Sequence, residues 1–189
     1  MEKETVDIDY SRSPAFFDIL NPMRVVLISS ISKMGKANIM TLSWIMPVSI
    51  DPPLLAISIS PERYTHKLIQ ETGEFVVNVP TVDILDAVIF CGTVSGRTCD
   101  KFSESKLTPL QARRVKAPII KECIAHIECK LQNQLPVGDH TIFIAKIVEA
   151  YVNKDILSNG RYNLEKAKII YHVGGEEFTI LQPKSFIIR

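Results

Sequence analysis

Two short turns constrain this chain more than any other feature. Lys33-Met34-Gly35-Lys36 sits between the β-branched segment Val25 to Ser32 and the segment Asn38 to Trp44. Pro136-Val137-Gly138-Asp139 sits between Cys123 to Leu131 and Thr141 to Tyr151, both long and apolar. A parallel crossover needs a dozen or more residues, so connections this short demand antiparallel strands. Gly35 supplies the positive φ that a tight hairpin turn requires. Leu54 to Ser60, Phe75 to Val79 and Ile169 to Val173 read as further strands. Asp51-Pro52-Pro53 breaks the chain before one of them, because proline donates nothing to a ladder.

Helical signals are few. Thr65 to Thr72 reads as a short helix that stops at Gly73. Val82 to Phe90 places Ile84, Leu85, Val88 and Ile89 on one face. Residues 92–106 read as a loop with a short helical turn. The expected class is therefore mainly β with a few short helices, antiparallel and Greek-key-like. Closing the sheet into a barrel removes its exposed edges. No G-x-G-x-x-G follows the first strand, which disfavours a dinucleotide-binding α/β unit. The length of 189 residues suits one domain over 1–189, with a lead-in over 1–22 and a loop-like tail over 174–189.

Composition narrows the partners. There are 22 basic and 21 acidic residues, for a net charge of +1, whereas a nucleic-acid backbone calls for a strong basic excess. One small phosphorylated ligand needs only a few local donors and stays open. Hydrophobic residues make up 46% of the chain, which fits either a subunit hiding apolar surface or simply a well-filled core. The start MEKETVDIDYSRS is too polar for a secretory signal, and no apolar run approaches the roughly 20 residues of a membrane span. Cys91, Cys99, Cys123 and Cys129 form no C-x-x-C pair and read as scattered thiols in a reducing, cytoplasmic setting. His66, His126 and His172 lack metal-ligand spacing, so no metal site is expected.

Four clusters carry chemistry. In the strand Asn38 to Trp44, Thr41 and Ser43 share one face with Ile39, while Asn38, Met40, Leu42 and Trp44 share the other. That strand offers an apolar shelf edged by hydrogen-bonding groups. Ser58-Ile59-Ser60-Pro61-Glu62-Arg63-Tyr64-Thr65 runs from a strand end into a helix, where Thr65 could cap and free amides beside Arg63 could seat a phosphate. The loop Ser95-Gly96-Arg97-Thr98-Cys99-Asp100-Lys101-Phe102 combines a flexible glycine with two cations. Gly138-Asp139-His140 brings a histidine to the start of a strand. Taken singly, each also fits a half-buried strand, a capped helix, a solvated loop or a structural histidine.

As an ordered set, NIMTLSWIMPVSIDPPLLAISIS, RYTHKLIQETGEFVVNVP, SGRTCDKF and GDHTIFIAKIV resemble the flavin reductase-like family, which includes flavoredoxin. The matching pieces span about residues 24 to 150, and YHVGG fits as well. The resemblance implies an FMN-binding split β-barrel that dimerises with flavin near the subunit interface. It places Asn38, Thr41, Ser43, Trp44, Ser58, Ser60, Arg63 and Thr65 against FMN. It assigns Lys101, with Ser95 and Gly96, to the phosphate, His140 to the flavin ring or the nicotinamide approach, and Tyr171 to a lesser contact. One departure stands out: Ala145 occupies a position where the reductase branch usually has glycine, which bears on nicotinamide approach.

Two functions follow as expectations. One is an FMN flavoprotein, either a flavoredoxin-like carrier or an NAD(P)H-dependent reductase accepting hydride at flavin N5, with NADH or NADPH as transient donor. The other is a non-redox small barrel binding nucleic acid or another phosphorylated ligand.

Overall fold

The computed structural model describes Thr5 and residues 18–184, so most of the lead-in expected over 1–22 lies outside the described residues. The elements run β1 (Met23–Arg24), β2 (Val26–Ile31), β3 (Ala37–Leu42), β4 (Ile45–Ser49), β5 (Leu54–Ile59), α1 (Tyr64–Thr72) and β6 (Glu74–Val79). After a 3-10 turn over Val82–Ile84 come α2 (Leu85–Thr93), α3 (Lys101–Glu104), β7 (Pro109–Leu110) and β8 (Ile119–Ile120). The long strands β9 (Ala125–Val137) and β10 (His140–Val152) follow, then β11 (Leu157–Ser158), β12 (Arg161–Tyr162), β13 (Ile170–Gly174) and β14 (Glu177–Ile180).

Every ladder among the described residues is antiparallel. The main sheet has seven strands in the order β3-β2-β6-β9-β10-β5-β4. Returning connections set β6 beside β2 and β5 beside β10, which gives the sheet its Greek-key-like character. Its two edges, β3 and β4, are consecutive in the chain and joined only by Ser43 and Trp44. Three Cα steps cover about 11 Å at most, so the sheet must roll up until its edges nearly meet. The edges do not pair, and the barrel stays split along this seam.

Period-two alternation sorts the side chains into two cores. Val26 and Ile28 of β2 join Met40, Leu55, Ile57, Phe75, Val77 and Phe143 inside the barrel. Val25, Leu27 and Ile39 point outward and pack with Val88, Cys91 and Phe102 of the helical side. Phe75 and Phe143 are fully buried, each contributing about 1.5–3 kcal/mol of hydrophobic stabilisation.

Helix α1 buries Leu68 and Ile69 and ends at Gly73, whose φ of 68° and N–H bond to the Ile69 carbonyl form a left-handed stop. Thr65 is not its cap. Arg63 holds that position with no side-chain cap bond, and Thr65 Oγ1 instead accepts from Asn38 Nδ2 at 2.9 Å. Helix α2 begins at Leu85, later than the pattern suggests, because Val82–Ile84 wind as a 3-10 turn. The second hairpin is tighter than the four-residue reading, since Val137 pairs with His140 and leaves only Gly138 and Asp139 between strands. Part of the expected C-terminal loop is strand β14, which pairs with β13.

Two polar residues hold the connection between α3 and β9. Glu128 is fully buried and accepts N–H bonds from Arg113 (2.8 Å), Arg114 (2.6 Å) and Val115 (3.2 Å), plus the Tyr151 hydroxyl (3.0 Å). Asn78 donates through Nδ2 to the Leu27 carbonyl and Ser29 Oγ, while its Oδ1 accepts Ile120 N–H.

Candidate functional site

A cleft of about 680 Å³ opens beside the seam, walled by β3, the Ser43–Trp44 link, the end of β5, the start of α1, the last turn of α2 and the 95–101 loop. The volume lies within the range of small-molecule sites. Asn38, Thr41, Ser43 and Trp44 line it, as do Ser58, Ser60, Arg63 and Thr65. Ser95, Gly96, Lys101 and His140 complete the set that the sequence singles out. Tyr171 does not reach it. The tyrosine packs with Val79, Ile124 and Ile169 in a third apolar cluster, and its neighbour His172 lines the cleft instead. Adjacent residues in a strand face opposite ways, so a shift of one position exchanges the two.

The strand alternation read for β3 holds. Asn38 bonds to α1, Met40 and Leu42 pack on the barrel core, and the Thr41 hydroxyl donates to the Val88 carbonyl of α2. Strand β3 ends at Leu42, which frees Ser43 and Trp44 to bend across the seam. The Trp44 ring lies 4.7 Å from the His140 imidazole at an interplanar angle of 33°. His140 Nδ1 is 2.8 Å from Asp139 Oδ1, and that bond holds the exposed Asp139 carboxyl below its ordinary range. The carboxylate accepts, so Nδ1 carries the proton.

Positive charge lines the same cleft at Arg63, Arg97 and Lys101. Lys101 is 5% exposed, and its ammonium donates to the Cys91 carbonyl at 2.7 Å near the C-terminus of α2. Burial lowers its pKa. An ammonium has three N–H donors, so two remain for a ligand. Arg97 donates to the Glu62 carbonyl at 2.7 Å and lies 5.4 Å from the Tyr64 ring, which links the 95–101 loop to the start of α1. Helix α1 has no acidic residue in its first turn and no side-chain cap, so no acidic side chain of its own first turn offsets its positive end.

The loop approaches β3 closely. A Cβ on Gly96 would sit 1.9 Å from Asn38 Oδ1, so only glycine fits there without rearrangement. Asn38 Oδ1 is itself buried without a hydrogen-bond partner. Met40, Leu42, Tyr64 and the Cys91-Gly92-Thr93 turn also line the cleft, beyond the residues selected from sequence. Tyr64 and Arg97 lie inside clusters already marked as chemical, whereas the end of α2 carries no local signal.

A family model described as a flavin reductase like domain matches residues 20–172. The chain belongs to that family. A protein of Archaeoglobus fulgidus is 37% identical over 169 residues, covering 89% of this chain and 94% of its own. The flavoredoxin of Methanosarcina acetivorans is 27% identical with a TM-score of 0.84, covering 98% of this chain and 95% of its own. A split-barrel structure from Shewanella frigidimarina, described as a flavin reductase, superposes with a TM-score of 0.85 at 18% identity, over 98% of this chain and 100% of its own. At that identity the likeness shows the fold alone.

Within this flavin reductase-like chain, Ala145 sits in the barrel core at 0% exposure, paired with Leu55, and does not line the cleft. The position where the resemblance expects a glycine thus lies in the barrel core rather than in the cleft wall. No helix among the described residues is long and apolar enough to cross a membrane.

Proposed function

We propose that this chain holds FMN in the cleft and passes electrons through it, as a flavoredoxin-like carrier or as an NAD(P)H-dependent flavin reductase. The observation that carries this reading is the mixed lining of the cleft. Trp44, Met40 and Leu42 offer apolar surface, and Lys101 with the uncapped start of α1 offers cationic and N–H donors. An amphipathic ring ending in a phosphate matches that lining. The Gly96 backbone, kept bare of Cβ, lets the 95–101 loop close against Asn38 of β3 and so brings the loop to the cleft wall.

The residues divide the work. Lys101, Arg63, Ser95 and Gly96 hold the phosphate, and Thr65 orients Asn38. Ser43, Ser58 and Ser60 supply hydroxyls to the polar edge of the ring, and Thr41 fixes α2 against β3. His140, tilted against Trp44 and held through Nδ1 by Asp139, would meet the ring or the donor's approach. A bound FMN would supply the redox chemistry, with NADH or NADPH as the hydride donor in the reductase variant. No side chain needs to act as a general base in this scheme.

Purified protein should be yellow or turn yellow on adding FMN, and fluorescence quenching should titrate to one site per chain. A colourless protein with no heat of mixing with FMN would defeat the proposal. Anaerobic NADH or NADPH then separates the two variants, since bleaching of the flavin marks the reductase and an unchanged spectrum marks the carrier. A homodimer belongs to the same reading. Met46, Val48, Leu135 and Val137 are exposed apolar side chains of β4, β9 and its turn, beside the seam and the second hairpin. The non-redox alternative gains no support from family membership.

A further inference from the structure

A second cavity of about 480 Å³ opens where β4 and β5 face β1 and the ends of β9 and β10. Among the described residues it shares no lining residue with the cleft above. Its walls are apolar: Val26, Leu55, Val77, Val79, Ile127 and Ile147 among them. Among the described residues one charged side chain, Arg24, lines it, and no carboxylate does.

Arg24 is poorly satisfied. Its Nε is buried with no hydrogen-bond partner, and no ion pair involves it among the described residues. Its guanidinium lies 5.7 Å from the centre of the Tyr162 ring, another wall of the cavity. With Nε shielded, the Nη–H groups are the donors the guanidinium offers a carboxylate in the cavity.

His126 supplies a second polar group. Its Nδ1 is 2.8 Å from Asn78 Oδ1, which is the acceptor end because Nδ2 donates to Leu27 and Ser29. Nδ1 therefore carries the hydrogen and Nε2 is bare. Burial pushes the imidazole down to about 4, so it is neutral at pH 7 and does not repel or attract charge. Arg24 is then the single charge among the described residues that line this apolar cavity.

We propose that this cavity is a second binding site, for a small apolar carboxylate whose charged end meets the Arg24 guanidinium and whose hydrocarbon body lies among the sheet residues. A guanidinium on an apolar wall with no counter-ion among the described residues is matched by a monoanion with an apolar body. The site is independent of flavin, so the test does not depend on the cleft's occupant.

Octanoate and 1-octanol separate the charge from the chain. By calorimetry on the full-length protein, octanoate should bind one site at least about tenfold more tightly than octanol, the ratio expected for one charge-assisted bond. Arg24→Met should remove that preference while leaving the FMN titration unchanged. Ala150→Phe, at a wall position exposed to the cavity, should abolish binding of both probes with Arg24 intact. Equal affinity for the two probes, no binding of either, or octanoate binding that survives Arg24→Met each overturns the proposal.

Discussion

At the scale of single residues, Lys101 joins two segments that meet only in the fold. One N–H tethers the Cys91 carbonyl, and the ammonium lines the cleft with its remaining donors. Lys101→Gln keeps a donor for Cys91 and removes the charge. We expect FMN affinity to fall about tenfold or more by fluorescence titration, with a smaller change in the urea midpoint. Gly96→Ala should be worse for binding than for folding. The new methyl meets Asn38 Oδ1, so the loop or the amide must move, costing about 1–3 kcal/mol in urea melts and displacing Lys101's loop from β3. Type and spacing marked the clusters (hydroxyls on a strand, cations beside a glycine, a histidine after a turn), but each alone also fits an ordinary strand, cap or loop, and only the ordered resemblance joined them into one site. Tyr171 and His172 show the limit. A one-residue offset in β13 decides which of the two reaches the cleft, and no local pattern sets that register.

At the scale of elements, Glu128 organises a segment that has little regular structure of its own. Its carboxylate accepts three consecutive backbone N–H groups, at Arg113, Arg114 and Val115. Glu128→Ala would strand those donors in a buried setting and should cost about 3 kcal/mol or more, measured by urea denaturation. Glu128→Gln should cost less because its amide oxygen still accepts. His126 sets a pH dependence on the neighbouring strand pair. Its folded pKa of about 4 lies below the unfolded value of 6.5, so the unfolded chain binds more protons between them. Stability is full above pH 6.5 and falls as the pH drops to 4, by about 3 kcal/mol at most. Urea melts at pH 7 and pH 4.5 should show a smaller loss for His126→Gln than for the parent chain. The hairpins and α1 were readable because Gly35, Gly73 and Gly138 mark their turns and stop, all with positive φ. The 3-10 start of α2 and strand β14 were not, because their partners are distant: Val82 N–H bonds to Lys168, and β14 exists by pairing with β13.

At the scale of the whole molecule, the order β3-β2-β6-β9-β10-β5-β4 could not be read from local pattern, although antiparallel pairing could. Hairpins fix which strands are neighbours in pairs, but the way pairs abut depends on contacts such as β2 with β6. Light scattering at micromolar concentration should return twice the monomer mass, and a monomer there would leave the exposed apolar residues of β4 and the second hairpin unexplained.

The seam has a mechanical meaning. Ser43 and Trp44 are at once the hinge pin between the two unpaired borders of the sheet and part of the cleft wall. Whatever settles against them also sets how far those borders can spread. Amides of β3 and β4 should therefore exchange hydrogen more slowly when the cleft is filled, even those that touch no ligand.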